Sequence, residues 1–134
     1  VVAPTSKAVV DVRAPTQEDA SRLSEAILSL QPATPEVALE VEGGFGRPPM
    51  ERTPRNRRLW QDARKAGQRL GLDLEEASAG GGSDGNTASL FTATLDGLGT
   101  PGDGAHAAHE FIFLDKLEER TALLALLLLL PVES

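Results

Sequence analysis

Apolar positions repeat with two different periods along the first third of the chain, and they predict two strands around a helix. The valines of residues 7–13, KAVVDVR, are typical of a strand. Residues 36–42, EVALEVE, alternate Val or Leu with mostly Glu, which predicts a strand with one wet face. Between them a helix is expected from the N-cap Thr16 to just before Pro32. Its apolar stripe consists of Ala20, Leu23, Ile27 and Leu30.

This first segment is too short to be a complete domain. A strand, a helix and a second strand bury too little of a sheet. We therefore interpret residues 1–46 as half of a small α+β unit whose other strands and helix lie upstream or on a partner. The sequence enters an apolar stretch at Val1, without an initiator Met or a signal-peptide pattern. We expect it to be part of a longer protein.

A Gly- and Pro-rich loop separates the first segment from a second helix. Thr53 followed by Pro54 is a capping residue with proline at the first helical position. The helix is expected to run to about Leu70, with Gly71 as its stop signal. Its apolar side would consist of Leu59, Ala63, Ala66 and Leu70.

Short strand candidates and a last helix follow. Residues 72–78 and 94–99 are the strand candidates, and residues 86–93 predict a helical turn between them. Asp115 and Glu118 form a D-x-x-E capping signal for a Leu-rich helix that ends at Pro131. Helices alternating with short strands are typical of an α/β sheet covered by helices.

Composition excludes several classes of function. The 134 residues carry a net charge of −7, which argues against a chain that coats nucleic acid or an anionic membrane. Without cysteine there is no thiolate nucleophile and no Cys-based zinc site. The longest apolar run, residues 123–130, is too short to span a bilayer.

Metal-binding residue types occur together near the end of the chain. In GDGAHAAHEF, His106, His109 and Glu110 lie within five residues, and all three types bind zinc. Gly102 and Gly104 disfavour a regular helix there, so we expect only one of the two imidazoles to face a metal. Surface or hydrogen-bonded histidines are the alternative interpretation.

The glycine-rich loop AGGGSDGN, residues 79–86, is a second candidate site. It lacks the lysine of a phosphate-binding Walker loop. Asp84 and Asn86 either bind substrate or stabilise the turn. Arg47, between a glycine and a proline, lies in a rigid loop suited to bidentate binding of a carboxylate.

Residues 47–69 are basic, with a net charge of +6 against −13 for the rest of the chain. A partner with acidic groups or RNA is one interpretation, and a solvated helix face that pairs with acids elsewhere is the other. The segment has neither the pattern of interleaved aromatic residues nor the recognition motif of an RNA-binding surface. The eight cations are Arg47, Arg52, Arg55, Arg57, Arg58, Arg64, Lys65 and Arg69.

In order, VDVRA, GRPP, GGGSDGN and LGTPGDGAHAAHE, followed by a Leu-rich helix, resemble a known family. They are similar to the C-terminal part of the dinuclear zinc hydrolases related to carboxypeptidase G, aminoacylase, acetylornithine deacetylase and succinyl-diaminopimelate desuccinylase. The resemblance covers nearly the whole chain. It implies an α/β fold: half of a ferredoxin-like α+β lid and dimerisation domain in residues 1–46, then the C-terminal section of a zinc-peptidase catalytic domain in residues 47–134.

The resemblance also assigns expected roles to particular residues. His106 matches a zinc ligand, and Glu110 matches an acid that supports its loop. Arg47 and Arg13 match residues that bind the substrate's carboxylate. The implied lining of the substrate pocket is Gly82, Ser83, Asp84 and Asn86.

The implied activity is hydrolysis of an amide bond in a small peptide or N-acyl amino acid by two zinc ions, with cobalt or manganese as alternatives. The family's H-x-D ligands, bridging Asp and paired Glu with the general base are absent here, so this chain alone is expected to be inactive. A cytoplasmic homodimer without nucleic-acid or membrane partners is expected. The alternative is a noncatalytic interaction module that pairs through its sheet edge and binds an acidic partner through the Arg-rich helix.

Overall fold

The computed structural model describes residues 3–131. It combines helices with one small antiparallel sheet, in agreement with the expected mixture of α and β structure. In chain order the elements are α1 (Gln17–Leu28), α2 (Pro54–Arg69), α3 (Asp84–Ala88), β1 (Gly102–Asp103), β2 (Phe111–Ile112), a 3-10 turn (Leu114–Lys116) and α4 (Leu117–Leu128). The proposed division at residue 46 stays a prediction.

Helix α1 begins where its capping signal predicted. The Thr16 side chain accepts a hydrogen bond from the Asp19 backbone N–H at 3.0 Å, which satisfies one of the open donors of the first turn. Of the expected apolar stripe, Ala20 is buried and Leu30 is exposed. Among residues 3–131, α1 packs on no other helix or strand. Its N-terminus is held instead by Glu51, whose Oε1 accepts a hydrogen bond from the Gln17 N–H at 2.6 Å.

The predicted start and end of helix α2 are also confirmed. Thr53 caps it by accepting from the Asn56 N–H, and Pro54 occupies the first turn. Beyond Arg69 the chain turns at Gly71, whose φ of 74° favours glycine. Ala63 and Ala66 are buried, as expected for the apolar side of this helix, but Leu70, expected on the same side, is exposed.

Helices α2 and α4 pack together and contain most of the buried apolar residues that the structure describes. Leu123 of α4 is 1% exposed and is the largest fully buried side chain there. The Leu-rich helix was predicted, but its capping signal was wrong. Asp115 lies inside the preceding 3-10 turn, where it makes no capping hydrogen bond to α4, and the helix starts after Lys116.

The described sheet is a short hairpin that the sequence analysis missed. Strands β1 and β2 pair antiparallel, with Gly102 opposite Ile112 and Asp103 opposite Phe111. A Cβ at residue 102 would lie 2.1 Å from the Phe111 carbonyl oxygen, so only glycine fits at this position. The hairpin thereby fixes the base of the loop that contains both histidines.

Four predicted strands are wrong: residues 7–13, 36–42, 72–78 and 94–99 have no strand in the structure. A strand needs a neighbour that accepts and donates its backbone hydrogen bonds, and these segments pair with none within residues 3–131. Val9 is 91% exposed, and Val37 and Leu39 are about half exposed. Their apolar alternation therefore has no apolar surface to cover.

Candidate functional site

The glycine-rich loop ends at a well-formed helix start. Ser83 is the N-cap of α3, and its side chain accepts a hydrogen bond from the Gly85 N–H at 3.0 Å. Asn86 completes the capping box, because its Oδ1 accepts from the Ser83 N–H at 2.8 Å. Two residues of the predicted substrate loop therefore fix its backbone. Asp84 lies exposed in the first turn of α3.

Two arginines from distant parts of the chain lie against this loop. Arg13 approaches Gly80, where an added Cβ would lie 3.0 Å from its Nη1. Arg47 approaches Gly82, where an added Cβ would lie 3.3 Å from its Cδ and 3.9 Å from its Nη1. A side chain at Gly80 would displace the Arg13 guanidinium group, and one at Gly82 would displace the Arg47 side chain at its Cδ. The structure thus brings Arg13, Arg47 and Gly82 to one surface.

The two arginines differ in their charge partners. Arg13 donates from Nε and Nη2 to Asp11 Oδ2, at 3.0 and 2.8 Å. Arg47 has no carboxylate within ion-pair distance among residues 3–131, and it is exposed. Its charge is therefore available to an anion from solution.

Asn86 also connects the loop to the segment that carries Arg47. Its Nδ2 donates to the Pro48 carbonyl oxygen at 2.8 Å, while its Oδ1 is used in the capping box. A single side-chain amide thus spans 38 residues of sequence. The sequence suggested a turn-stabilising or substrate-binding residue at this position, and the structure shows the first of these in detail.

A second asparagine, Asn56, supports the same region and was missed by the sequence analysis. It is buried on α2, donates to the Glu51 carbonyl oxygen at 2.9 Å, and accepts from the Thr94 N–H at 3.0 Å. The only available signal was a polar residue in the first turn of a helix after a cap, which is too common to identify such a role.

His106 lies in the loop between β1 and β2 and is exposed. Its φ of 68° is unusual for a residue other than glycine, and Gly104, two residues before it, has a φ of 71°. Glu110 Oε2 accepts a hydrogen bond from the His106 backbone N–H at 3.2 Å. The loop is turned rather than helical, as the glycines predicted.

The second histidine has a different environment. The His109 ring lies over Gly104, where an added Cβ would be 2.9 Å from Cδ2 and 3.1 Å from Nε2. A depression of about 290 Å³ beside the hairpin is lined by Thr100, Asp103, Glu110 and Phe111 among others. Within the described residues, 3–131, no three His, Asp or Glu side chains are grouped so that they could hold a metal ion.

The basic segment is partly neutralised by nearby acids. Arg52 pairs with Glu76 at 2.5 Å, Lys65 with Asp62 at 3.0 Å, and Arg64 approaches Asp73 to 3.9 Å. The hydrogen bond from Arg52 lowers the pKa of Glu76, and the same bond raises the pKa of Arg52. Arg55 donates to the Ser89 carbonyl oxygen. These contacts agree with a solvated helix face that pairs with acids.

The predicted site residues thus form two groups. Arg13, Arg47, Gly82, Ser83 and Asn86 meet at the glycine loop, and His106 and Glu110 share the hairpin loop. Among residues 3–131, no hydrogen bond or ion pair joins the two groups. No helix in this part of the chain is both long and apolar enough to cross a membrane.

Comparison with known proteins identifies the family. The profile of Peptidase family M20/M25/M40 matches residues 2–130. No curated protein and no solved structure matches the chain. Because the profile covers almost the whole sequence, the chain belongs to this peptidase family, whose members are hydrolases of the metallopeptidase type.

Proposed function

We propose that this member of Peptidase family M20/M25/M40 binds the free carboxylate of a small peptide or N-acyl amino acid at its glycine loop. The observation that supports this proposal is the position of two arginines at the loop: Arg47 lies against Gly82 and Arg13 against Gly80. Arg47 has no acidic partner among the described residues. The reaction would be hydrolysis of the amide bond in that substrate. Arg13 and Arg47 are the anchors, and Gly82, Ser83, Asp84 and Asn86 line the pocket.

The chemistry of the two arginines supports this substrate class. A guanidinium group binds a carboxylate through two parallel hydrogen bonds, which neutral groups cannot match. Glycines at positions 80 and 82 leave space for both guanidinium groups beside the loop backbone. Hydrogen bonds to charged groups contribute about 1.5–3 kcal/mol, enough for at least tenfold discrimination against an uncharged ester.

The donors of this chain do not fit a two-zinc site by themselves. His106 and Glu110 lie in one loop, but Glu110 already accepts a hydrogen bond from the His106 backbone, and no third donor group stands with them within residues 3–131. We propose that His106 is one ligand of a metal site completed by residues beyond this chain, and that the chain alone binds zinc weakly. Calorimetric titration showing tight stoichiometric zinc uptake would contradict this.

The carboxylate proposal is tested by binding. N-acetyl-L-alanine and its methyl ester are titrated into the full 134-residue chain, and the amide shifts of the glycine loop are followed by NMR. We expect the free acid to bind at least about tenfold more tightly than the ester. Equal affinity for acid and ester would overturn the carboxylate site.

A second candidate role is self-association through the first segment, as a lid and dimerisation surface in residues 1–46. The exposed Val9 and Val37 support it, because these apolar segments pair with no strand among the described residues. Sedimentation equilibrium of the chain should show a dimer that dissociates when Val9 is replaced by Lys. Binding of an acidic partner to the Arg-rich helix would instead weaken steeply with salt.

A further inference from the structure

We propose that Asp96, which the sequence analysis did not select, is a positioning residue that fixes the glycine loop for carboxylate binding. The inference rests on the proposed function and extends it to a residue outside the loop. Asp96 belongs to TLDGLG, residues 94–99, one of the segments wrongly expected to be a strand.

The carboxylate of Asp96 is connected to the loop by a chain of hydrogen bonds. Ser83 Oγ donates to Asp96 Oδ2 at 2.5 Å and accepts from the Gly85 N–H at 3.0 Å. A serine hydroxyl has one proton to donate, so the acid determines which way the hydroxyl points. It therefore turns the oxygen lone pairs of Ser83 toward the start of α3.

Packing reinforces this connection. An added Cβ at Gly85 would lie 3.4 Å from both Cβ and Cγ of Asp96. The aspartate thus lies beside Gly85 of the loop, close enough to fill the space of a side chain there, as well as bonding to Ser83. Asp96 Oδ1 is also used, because it accepts a hydrogen bond from the Gly97 N–H at 2.8 Å. Both carboxylate oxygens therefore have different donors.

The segment that carries Asp96 is anchored to helix α2. Two residues before it, the Thr94 N–H donates to Oδ1 of the buried Asn56 on α2. The path from α2 through Thr94 and Asp96 to Ser83 ties the loop to the packed part of the molecule. On the other side, Asn86 ties the same loop to Pro48, next to Arg47.

The hydrogen bond from Ser83 to Asp96 and the hydrogen bond from Asn86 to Pro48 hold different parts of the site. Loss of the Asp96 tie would free the Ser83 hydroxyl and loosen the glycines, while Asn86 still holds the Ser83 N–H and Arg47 keeps its place on its own segment. The guanidinium group would then lose the ordered surface of Gly82 against which it lies. We therefore expect weaker carboxylate binding without loss of the fold.

The experiment compares Asp96→Asn, Ser83→Ala and the double variant in the full chain. Asparagine keeps the size of the side chain but has only one acceptor oxygen for the two donors that Asp96 now satisfies. We expect about a tenfold loss of N-acetyl-L-alanine affinity in Asp96→Asn, and faster hydrogen exchange of the Gly85 amide. In the Ser83→Ala background the same substitution should cost less than about twofold, because its partner is gone.

The matched control is Asp73→Asn, because Asp73 is an exposed aspartate that only approaches Arg64. The affinity of this variant for N-acetyl-L-alanine should equal that of the wild-type chain. Equal effects of Asp96→Asn with and without Ser83, or unchanged Gly85 exchange, would overturn the role of Asp96. If the wild-type chain fails to distinguish acid from ester while Gly85 exchange responds as expected, the proposed function fails and the loop-fixing role of Asp96 stands.

Discussion

The two parts of the chain use similar local signals with very different results. In residues 3–46, Thr16 caps a helix, yet this helix packs on no other element of the described chain, and Val9, Val10 and Val37 on either side of it are exposed. In residues 47–131, Thr53 caps a helix in the same way, and that helix packs against α4 and holds two loops through Asn56. A helix makes its backbone hydrogen bonds within its own segment, whereas a strand and a core require distant partners.

The difference between the two parts affects both substrate binding and stability. The residues proposed to bind substrate belong to both parts, since Arg13 reaches the loop from the first and Arg47 from the second. The second part provides the fixed surface, and the first contributes a single guanidinium and the link from Gln17 to Glu51. Stability should therefore depend on the second part almost alone.

The largest expected effect is that of Leu123→Ala. Leu123 is 1% exposed, and removal of a buried leucine side chain costs about 2–5 kcal/mol of unfolding free energy. Leu39→Ala in the first part should cost less than about 0.5 kcal/mol, because Leu39 is half exposed. Urea denaturation measures both, and similar losses would contradict the difference between the two parts.

The second largest expected loss of stability comes from replacing the buried Asn56. Asn56→Ala leaves the Thr94 N–H without its acceptor and removes one of the two donors to the Glu51 carbonyl, which keeps the Thr53 N–H; this should cost about 2 kcal/mol. Gln31→Ala is the control in the first part, since its amide only approaches the Ser29 carbonyl at 3.4 Å and is exposed. An unchanged denaturation midpoint for Asn56→Ala would show that this network is dispensable.

The two caps offer a smaller and more specific comparison. Removal of a threonine cap costs about 1 kcal/mol of helix stability. Thr53→Ala should lower the stability of the whole second part, while Thr16→Ala should speed hydrogen exchange only within α1. If Thr16→Ala destabilised α2 and α4 equally, α1 would be coupled to them more strongly than its contacts indicate.

The smallest effect is a pH dependence from the ion pair of Glu76. Arg52 lowers the pKa of Glu76 from its ordinary value of 4.5, so the pair stabilises the folded chain above that pH. This contribution is lost as the pH falls through the lowered pKa. In Arg52→Gln the carboxyl pKa, followed by NMR, should rise toward its ordinary value. An unchanged Glu76 pKa in that variant would show that Arg52 is not its cause.

The sequence predicts elements whose causes are local. Thr16, Thr53, Pro54 and Gly71 identified both helix starts and one helix end, because a cap acts within one turn of its own residue. The strands failed for the opposite reason, since residues 7–13 and 36–42 contain no information about which segment pairs with them.

The candidate site could be predicted only in part. Arg47 and Asn86 were chosen from their local sequence as well as by resemblance to a family, and Ser83 by the resemblance alone. The contacts of Arg13 with Gly80 and of Asp96 with Ser83, however, join residues far apart in sequence. Asn56 had no distinguishing pattern at all. Such contacts depend on how loops meet, which residue spacing does not encode.

The most direct test of carboxylate binding compares two arginines in the same titration with N-acetyl-L-alanine. Arg47→Ala removes the cation that lies on Gly82, and Arg69→Ala removes a cation from the end of α2 with the same change in net charge. We predict at least about a tenfold loss of affinity for Arg47→Ala and less than about twofold for Arg69→Ala. Equal losses in the two variants, or no loss in either, would contradict a carboxylate site at the glycine loop.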